Sequence, residues 1–265
     1  MSSEINLQLY GFVMLDLSYK AKIRLYFPGK ISLKSPVKLE NKHVHYLINV
    51  MRKKIDDPIL VFNSVNGEFL AKISEIYNNT IIIDIIKKTR DVQIDNDIWL
   101  LFAPVKKSPT EYIVQKATEL GVSKIIPVIT ERTITKNLNL KRMQDIAIES
   151  SEQCERITIP EVCAIKKLKD LIPNWDNDRI IFFCDETIRN NDAVKIDFQN
   201  LSTKSFGAIL VGPEGGFSTN ETNYLREKKF IRPIDLGPRI LRADTAVIAA
   251  LSLWHFLNGD IKKYF

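Results

Sequence analysis

The sequence is poor in cysteine and has no long apolar run. Cysteine occurs three times in 265 residues, as Cys154, Cys163 and Cys184. These residues show neither a CxxC pair nor the Cys and His spacing of a zinc site, and an odd number of thiols argues against a disulfide framework. The apolar stretch Ala246 to Leu257 is interrupted by Ser252 and falls short of the ~20 residues that a membrane helix needs. We therefore expect no metal site, no membrane span and a cytoplasmic location.

Residues 1–22 lack the features of an export signal. No Lys or Arg precedes the apolar stretch Leu9 to Leu15, and Asp16 follows it without a small-residue cleavage site. We interpret these residues as an N-terminal extension that precedes the folded domains.

Positive charge is concentrated near the start of the chain. The whole sequence has 38 Lys and Arg against 32 Asp and Glu, a net charge of +6, and is 45% hydrophobic, which is typical of one large or two modest globular domains. Residues Ile23 to Val92 contain 12 basic and 7 acidic side chains, whereas the rest is nearly neutral. Contact with RNA or DNA explains this bias, and so does an ordinary solvated surface.

The basic segment, residues 23–92, has the pattern of a compact β-barrel. Two hairpin signals, Asn66-Gly67 and Asn78-Asn79, join successive apolar strands. The predicted strands are Ile23–Phe27, short strands around Ile31 and Val37, Ile59–Phe62, Glu68–Ile76 and Thr80–Ile86, with one helix from about Glu40 to Met51.

Residues 97–265 alternate between strands and helices, which predicts an α/β domain with a largely parallel sheet. The first helix is expected to follow Ser108-Pro109-Thr110-Glu111, with Ser108 as its cap, and to stop at Gly121. The other predicted elements are strands Ile98–Val105, Lys124–Ile129, Arg179–Cys184, Phe206–Val211 and Arg232–Leu236, and helices Lys141–Gln153 and Ala246 to Asn258.

A glycine-rich loop is the most specific local signal. It reads Gly212-Pro213-Glu214-Gly215-Gly216-Phe217 and lies between a predicted buried strand and the capping box Ser218-Thr219-Asn220-Glu221. Glycines at the carboxyl end of a strand let a ligand approach the backbone, and open α/β sheets bind ligands at this edge. The loop has neither the GxGxxG pattern of dinucleotide sites nor the GK(S/T) ending of a P-loop. A tight turn without a ligand is the alternative interpretation.

A second loop follows the next strand in the chain. It reads Leu236-Gly237-Pro238-Arg239-Ile240-Leu241-Arg242-Ala243-Asp244-Thr245-Ala246, and Asp244 or Thr245 can cap the closing helix. Two such loops at one sheet edge would form a shared crevice. Without a ligand, Asp244 is only a helix cap and the two arginines are solvated charges.

Four motifs closely resemble those of the bacterial 16S rRNA (uracil-N3)-methyltransferase family, which belongs to the SPOUT superfamily. They are the two loops, the segment Gln115-Lys116-Ala117-Thr118-Glu119-Leu120-Gly121-Val122 and the run Glu149-Ser150-Ser151-Glu152-Gln153. The resemblance covers about Ile23 to Asp260. It implies an α/β fold with an N-terminal PUA-like RNA-binding β-barrel, a SPOUT methyltransferase domain with a C-terminal trefoil knot, and a homodimer. The chain departs from the family in residues 1–22 and in Asp244, where the family usually has Glu.

The resemblance also implies S-adenosylmethionine as cofactor and, as methyl acceptor, uracil N3 of a specific uridine in 16S rRNA of the small ribosomal subunit. The implied cofactor-binding residues are Gly212, Pro213, Glu214, Gly215, Gly216, Leu236, Gly237, Ile240, Leu241, Arg242, Thr245 and Ala246.

The reaction restricts the catalytic residues. N3 lies on the Watson–Crick edge of uracil, so the enzyme must hold the base unpaired and manage loss of the N3 proton. The carboxylates of Asp244, Glu152, Glu149 and Glu214 are alternatives for that step, and Arg239 or Arg242 can stabilise the uracil anion. The basic residues expected to pair with RNA phosphates are Arg24, Arg52, Lys53, Lys106, Lys107, Arg132 and Arg156, with His45, Lys54 and Arg142 as further candidates.

Three other functions stay open at this point. The chain could be a non-catalytic rRNA-binding assembly protein that has lost donor binding. It could be a SPOUT-type methyltransferase that acts on tRNA or on a 2′-hydroxyl. A nucleotide-dependent enzyme is disfavoured, since the expected phosphate-binding motifs are missing.

Overall fold

The computed structural model describes residues 21–93, 95–188 and 206–261. The chain divides into an N-terminal unit, Met1–Ile94 with Glu152–Thr158, and a C-terminal unit, Asp95–Ser151 with Ile159–Phe265. Apart from residues 21 and 22, the predicted extension lies outside the described residues. That residues 152–158 join the N-terminal unit is not predicted by any local sequence pattern.

The N-terminal unit contains a five-stranded sheet with the order β1-β3-β4-β5-β2. Strand β1 pairs in parallel with β3, and the other pairs are antiparallel. The strands are β1 Arg24–Tyr26, β2 Val37–Glu40, β3 Pro58–Asn63, β4 Gly67–Tyr77 and β5 Thr80–Arg90, and the helical segment comprises α1 Lys42–Val44 and a π-helical turn His45–Val50.

The strand predicted around Ile31 is wrong. Ile31 is buried in the connection between β1 and β2. Its backbone amide donates a hydrogen bond to Asn66 Oδ1 at 3.0 Å instead of joining a ladder. Asn63 Nδ2 donates to the carbonyl of Gly29 at 2.8 Å. Side-chain amides thus provide hydrogen-bond partners for the backbone of this loop.

A buried ion pair lies in the N-terminal unit. Arg24 Nε donates to Glu68 Oε2 at 2.6 Å, and both side chains are almost completely buried. Thr89 Oγ1 donates to the other carboxylate oxygen at 2.9 Å. The guanidinium lies over the ring of Phe62, 3.5 Å from its centroid. Burial lowers the pKa of Arg24, and the hydrogen bond and charge of Glu68 oppose that fall.

The C-terminal unit contains a parallel sheet with the order β12-β10-β11-β6-β7-β8, and β9 also pairs with β7. The predicted α/β pattern is confirmed. Its strands are β6 Asp97–Phe102, β7 Lys124–Ile129, β8 Glu161–Val162, β9 Lys166–Lys167, β10 Ile181–Cys184, β11 Phe206–Val211 and β12 Ile231–Ile234, and its helices are α2 Lys107–Glu119, α3 Leu140–Gln153, α4 Leu168–Leu171, α5 Thr219–Arg226 and α6 Ala243–Asn258.

Apolar residues run continuously along the strands of this sheet, so side chains on both of its faces are buried in hydrophobic cores. In β6, Leu100 and Phe102 join the core formed with α2, α3 and α6, whereas Leu101 joins the core on the opposite face. Helix α6, apolar on nearly every side, buries Val247, Leu251 and Trp254.

Two predicted helix caps are wrong. Helix α2 begins at Lys107 with Lys106 as its N-cap, not after Ser108. The reason is Thr110, whose hydroxyl bonds both the amide and the carbonyl of Val105 and so draws the helix start towards the strand. Helix α6 begins at Ala243 with Arg242 as its N-cap, so Asp244 lies within the first turn. The capping box at Ser218 and Glu221 is confirmed.

Asp97 and Arg179 close the amino-terminal edge of the parallel sheet. Arg179 precedes β10, and its guanidinium pairs with the Asp97 carboxylate and donates to the carbonyl of Gly207 at 3.1 Å. Asp97 also accepts from Ser123 Oγ at 2.7 Å and from Trp99 Nε1 at 2.8 Å. The Asp97 carboxylate thereby links the amino ends of β6, β7 and β10.

Replacing Asp97 by asparagine should lower the free energy of unfolding by roughly 1–2 kcal/mol at pH 7, at the low end for hydrogen bonds to charged groups because the Asp97 side chain is 49% exposed. Burial would raise the pKa of Asp97, but hydrogen bonds from Ser123, Arg179 and Trp99 outweigh it and lower the pKa. A lowered folded-state pKa gives stability that is present above the unfolded value of about 4 and lost as pH falls through the folded value. In urea denaturation, the difference between wild type and Asp97→Asn should shrink below about pH 4; a constant difference would contradict this assignment.

Among the described residues, no helix is both long and apolar enough to cross a bilayer. In the same part of the chain, no group of three or more His, Cys, Asp or Glu side chains is arranged to hold a metal ion.

Candidate active site

A cavity opens at the carboxyl edge of the parallel sheet, where β10, β11 and β12 end. Its empty volume is about 770 Å³, which includes the part open to solvent. The glycine loop after β11 and the second loop after β12 both line it. The predicted shared crevice therefore exists, although β10 separates the two strands that carry the loops.

The glycine loop needs its glycines for different reasons. A Cβ on Gly212 would stand 2.6 Å from Cε2 of the Phe217 ring, which packs edge-on against buried Phe183 with ring centroids 4.9 Å apart. Gly216 has φ +65°, a conformation that disfavours other residues. Its amide donates to the carbonyl of Pro213 at 2.9 Å and closes the turn.

The segment Cys184 to Thr187, here called the β10 loop, forms a third wall that sequence reasoning missed. All four of its residues line the cavity. The available signal was the rule already applied to the glycine loops, since Asp185 directly follows a predicted buried strand. That this strand lies between β11 and β12 is a property of the sheet order and cannot be read from the chain.

The β10 loop is fixed by a buried carboxylate. Asp185 Oδ1 accepts from the amide and hydroxyl of Thr187 at 3.0 and 2.8 Å. Its Oδ2 accepts from Nε and Nη2 of Arg226 at 2.8 and 2.6 Å. Burial, followed by the charge of Asp185, raises the pKa of Cys184 to about 12, so this sulfur is an unreactive thiol at neutral pH.

Among the charged residues of the lining, carboxylates predominate. Arg239 is the one guanidinium on the described walls, and four carboxylates accompany it: Asp185, which is paired with Arg226, and Glu186, Glu214 and Asp235. This excess of carboxylates suits a small ligand that carries net positive charge. Apolar groups of Val211, Ile234 and Leu241 supply the rest of the surface.

Most of the predicted cofactor residues meet at this cavity. The lining members are Gly212, Pro213, Glu214, Gly216, Leu236, Gly237, Ile240, Leu241 and Ala246. Gly215, Arg242 and Thr245 are not on its walls. The carbonyl of Gly215 accepts a hydrogen bond from Arg132 Nη1 at 2.8 Å, and Arg242 and Thr245 are exposed at the start of α6.

Four of the six catalytic candidates have different surroundings. Arg239 lines the cavity. Arg242 is the N-cap of α6, and Asp244 Oδ1 accepts from the amide of Thr245 at 2.7 Å. Glu152 belongs to the N-terminal unit, where its Oε1 accepts from the amide of Tyr26 at 2.8 Å.

One residue of the predicted RNA-binding set must be removed. Arg24 is buried and its guanidinium is used by Glu68 and by the carbonyl of Arg156, 2.8 Å from Nη2. Arg156 Nε in turn donates to Thr158 Oγ1 at 2.7 Å. The remaining members in the described chain are Arg52, Lys53, Lys106, Arg132 and Arg156, which are exposed or partly exposed, and Lys107, which opens α2.

The fold and the cavity define a two-unit α/β protein that binds a small ligand at the carboxyl edge of a parallel sheet. Residues 93–255 match the family model described as an RNA methyltransferase domain, and residues 39–86 match the RNA methyltransferase PUA domain. The chain belongs to this RNA methyltransferase family, with a PUA-like N-terminal domain.

Relatives and solved structures agree with this assignment. The chain is 31% identical to ribosomal RNA small subunit methyltransferase E of Rickettsia conorii, over 91% of this chain and 98% of the relative. It is 33% identical to the protein of the same name from Buchnera aphidicola subsp. Schizaphis graminum, over 90% and 97%. Its fold is similar to the crystal structure of ribosomal RNA small subunit methyltransferase E from Neisseria gonorrhoeae bound to S-adenosylmethionine, with a TM-score of 0.80, 27% identity, and coverage of 90% and 98%.

Proposed function

We propose that this protein transfers a methyl group from S-adenosylmethionine to uracil N3 of a specific uridine in the 16S rRNA of the small ribosomal subunit. The observation that carries the proposal is the single cavity that both glycine loops line, in a chain of the RNA methyltransferase family. Relatives named for small-subunit rRNA match along nearly their whole length and support the substrate.

The cavity fits S-adenosylmethionine on its own chemistry. The cofactor carries a sulfonium, an ammonium and a carboxylate, so its net charge is positive, which suits the excess of carboxylates on the cavity walls. Gly237 has open space on the side where a Cβ would project, whereas at Gly212 the Phe217 ring occupies that space. The backbone of the second loop can therefore approach a ligand closely.

The chain's contribution to the reaction is binding, orientation and proton management. S-adenosylmethionine supplies an already activated methyl group when it is bound. Arg239, the guanidinium on the cavity wall, is placed to stabilise negative charge on a uracil that has lost its N3 proton. For the proton itself, Glu214 on the wall and Asp244 at the start of α6 are the carboxylates of the C-terminal unit that we take forward. Glu152 is a poorer candidate, because its carboxylate accepts a hydrogen bond from the backbone amide of Tyr26.

RNA binding is assigned to the basic side chains that remain exposed or partly exposed. Arg132 is held beside the glycine loop by its bond to the Gly215 carbonyl, and Lys106 precedes α2. Together with Arg52 and Lys53 in the N-terminal unit, they would pair with phosphates, so affinity should fall steeply with added salt.

Finer features of the fold belong to the same proposal. The resemblance implies that the N-terminal sheet closes into a barrel, that the C-terminal unit contains a trefoil knot and that two copies form a dimer. A substrate in the small ribosomal subunit would place the protein in the cytoplasm.

The proposal is tested by incubating the protein with radiolabelled S-adenosylmethionine and 30S subunits from a strain that lacks the endogenous activity. Nuclease digestion and mass spectrometry then locate the label, which is expected on N3 of one uridine of 16S rRNA. Arg239→Gln should reduce the rate by roughly 100-fold, the usual cost of losing one group that stabilises developing charge.

Other outcomes would change the function. Label on tRNA or on a 2′-hydroxyl would replace the substrate while keeping the enzyme class. Absence of donor binding in calorimetry would leave a non-catalytic rRNA-binding protein.

A further inference from the structure

Strand β10 has an aspartate–arginine pair at each end. At its amino end Arg179 pairs with Asp97, and at its carboxyl end Asp185 pairs with Arg226. The first pair joins the strands at the sheet edge opposite the cavity. In the second pair, Asp185 lies in the β10 loop and lines the cavity, and Arg226 contacts it from the end of α5.

The pair at the carboxyl end determines the shape of the β10 loop. The Asp185 side chain is 2% exposed, and each of its oxygens accepts two hydrogen bonds. Arg226 Nη2 also donates to Thr187 Oγ1 at 2.6 Å, so the guanidinium contacts the loop at two residues. Bidentate charge-assisted bonds fix geometry as well as charge.

The same pair couples the β10 loop to the glycine loop. Arg226 is the last residue of α5, whose first turn is capped by Ser218 directly after the glycine loop. Thr222, one turn before Arg226 on the same helix face, lines the cavity. An added Cβ on Gly216 would stand 2.6 Å from Glu186 Oε1, so the two loops are in close contact.

We propose that Arg226 and Asp185 are positioning residues for the methyl donor, which hold the β10 loop as the third wall of the cavity. The inference rests on the proposed function, because it names the donor. Neither residue needs to contact the acceptor uracil. Loss of the pair should therefore weaken donor binding and leave the rate at saturating donor little changed.

The test compares Arg226→Gln with Arg179→Gln, which breaks the corresponding pair at the other end of the same strand. Calorimetric titration with S-adenosylmethionine should give a dissociation constant at least about tenfold higher for Arg226→Gln. Arg179→Gln should lower the melting temperature but leave the dissociation constant within about twofold of wild type. Arg226→Lys, which keeps the charge but loses the two-point contact, should fall between wild type and Arg226→Gln.

Steady-state methylation separates positioning from general destabilisation. In Arg226→Gln the KM for the donor should rise while kcat stays within about threefold of wild type. If both arginine variants weaken donor binding equally, or if Arg226→Gln lowers kcat with an unchanged KM, the positioning role is wrong. If Arg226→Gln does not fold, Thr187→Val removes the hydroxyl that joins Asp185 to Arg226 and should raise the dissociation constant in the same direction.

Hydrogen exchange gives a readout that needs no ligand. Peptides that contain Thr187 should exchange faster in Arg226→Gln than in wild type or Arg179→Gln, because the Thr187 amide depends on Asp185. Failure of wild type to bind the donor would overturn the proposed function. Unchanged exchange of the β10 loop in Arg226→Gln would overturn the positioning inference alone.

Discussion

Gly212→Ala should raise the dissociation constant for S-adenosylmethionine by roughly 10- to 100-fold. The new Cβ would lie 2.6 Å from Cε2 and 3.0 Å from Cδ2 of Phe217. This ring cannot simply retreat, because it packs against Phe183, which is fully buried. Either the ring enters the cavity or the loop shifts, and overpacking of this kind costs about 1–3 kcal/mol, which corresponds to the expected change. Isothermal titration calorimetry provides the measurement.

Gly215→Ala is the matched control in the same loop. Its Cβ would stand 3.7 Å from Arg132 Cδ, an ordinary van der Waals distance, and Gly215 is not on the cavity wall. We expect its dissociation constant to stay within about threefold of wild type. Equal losses in the two variants would show that the loop as a whole is sensitive, and that displacement of Phe217 is not the cause.

Glu68→Gln should be the most destabilising substitution considered for the N-terminal unit. It leaves the buried guanidinium of Arg24 without its counter-ion, and breaking a buried pair in this way costs about 3–5 kcal/mol. For a unit of about 100 residues, in which each kcal/mol shifts the melting temperature by about 4–8 °C, the melting temperature should fall by at least roughly 12 °C. Differential scanning calorimetry would show the shift.

Lys72→Gln controls for the loss of an ion pair on the surface of the same unit. Lys72 pairs with Asp56 at 2.9 Å, but both side chains are largely exposed, so its removal should cost less than about 1 kcal/mol. The double variant Arg24→Met with Glu68→Leu should recover much of the lost stability, since it leaves no unpaired buried charge. If Glu68→Gln were as mild as Lys72→Gln, the buried pair would not be a major stabilising element.

These substitutions also distinguish effects on the stability of the N-terminal unit from effects on its binding of RNA. Arg24→Met in the background of Glu68→Leu should leave the salt dependence of RNA binding unchanged, because Arg24 is not on the surface. Arg52→Gln, at an exposed position, should reduce the slope of log affinity against log salt concentration by about one.

Much of the fold could be predicted because local physics determines it. The strands Phe206–Val211 and Lys124–Ile129 are continuous apolar runs, and their bounds are as predicted. The capping box at Ser218 and Glu221 is a contact between residues three apart, so the sequence pattern contains the whole interaction. The glycine loop was likewise identified from its spacing and its place after a buried strand.

The predictions that were wrong have a different common cause. Ser108 has the right neighbours for a helix cap, but Thr110 binds the strand end at Val105 and moves the start of α2. Arg24 and Arg52 are the same residue type in one basic segment, yet only the first lies opposite a buried carboxylate. Each outcome depends on a partner that is distant in sequence or packed by the fold.

Local sequence patterns predict the alternation of strands and helices and the two glycine loops, because periodicity and turn chemistry act over a few neighbouring residues. That the β10 loop is the third wall of the cavity follows only from the folded structure. Strand β10 lies between β11 and β12 through pairing of segments that are far apart in the chain, and Asp185 meets Arg226 across 41 residues. Such contacts follow from packing, which local sequence patterns do not encode.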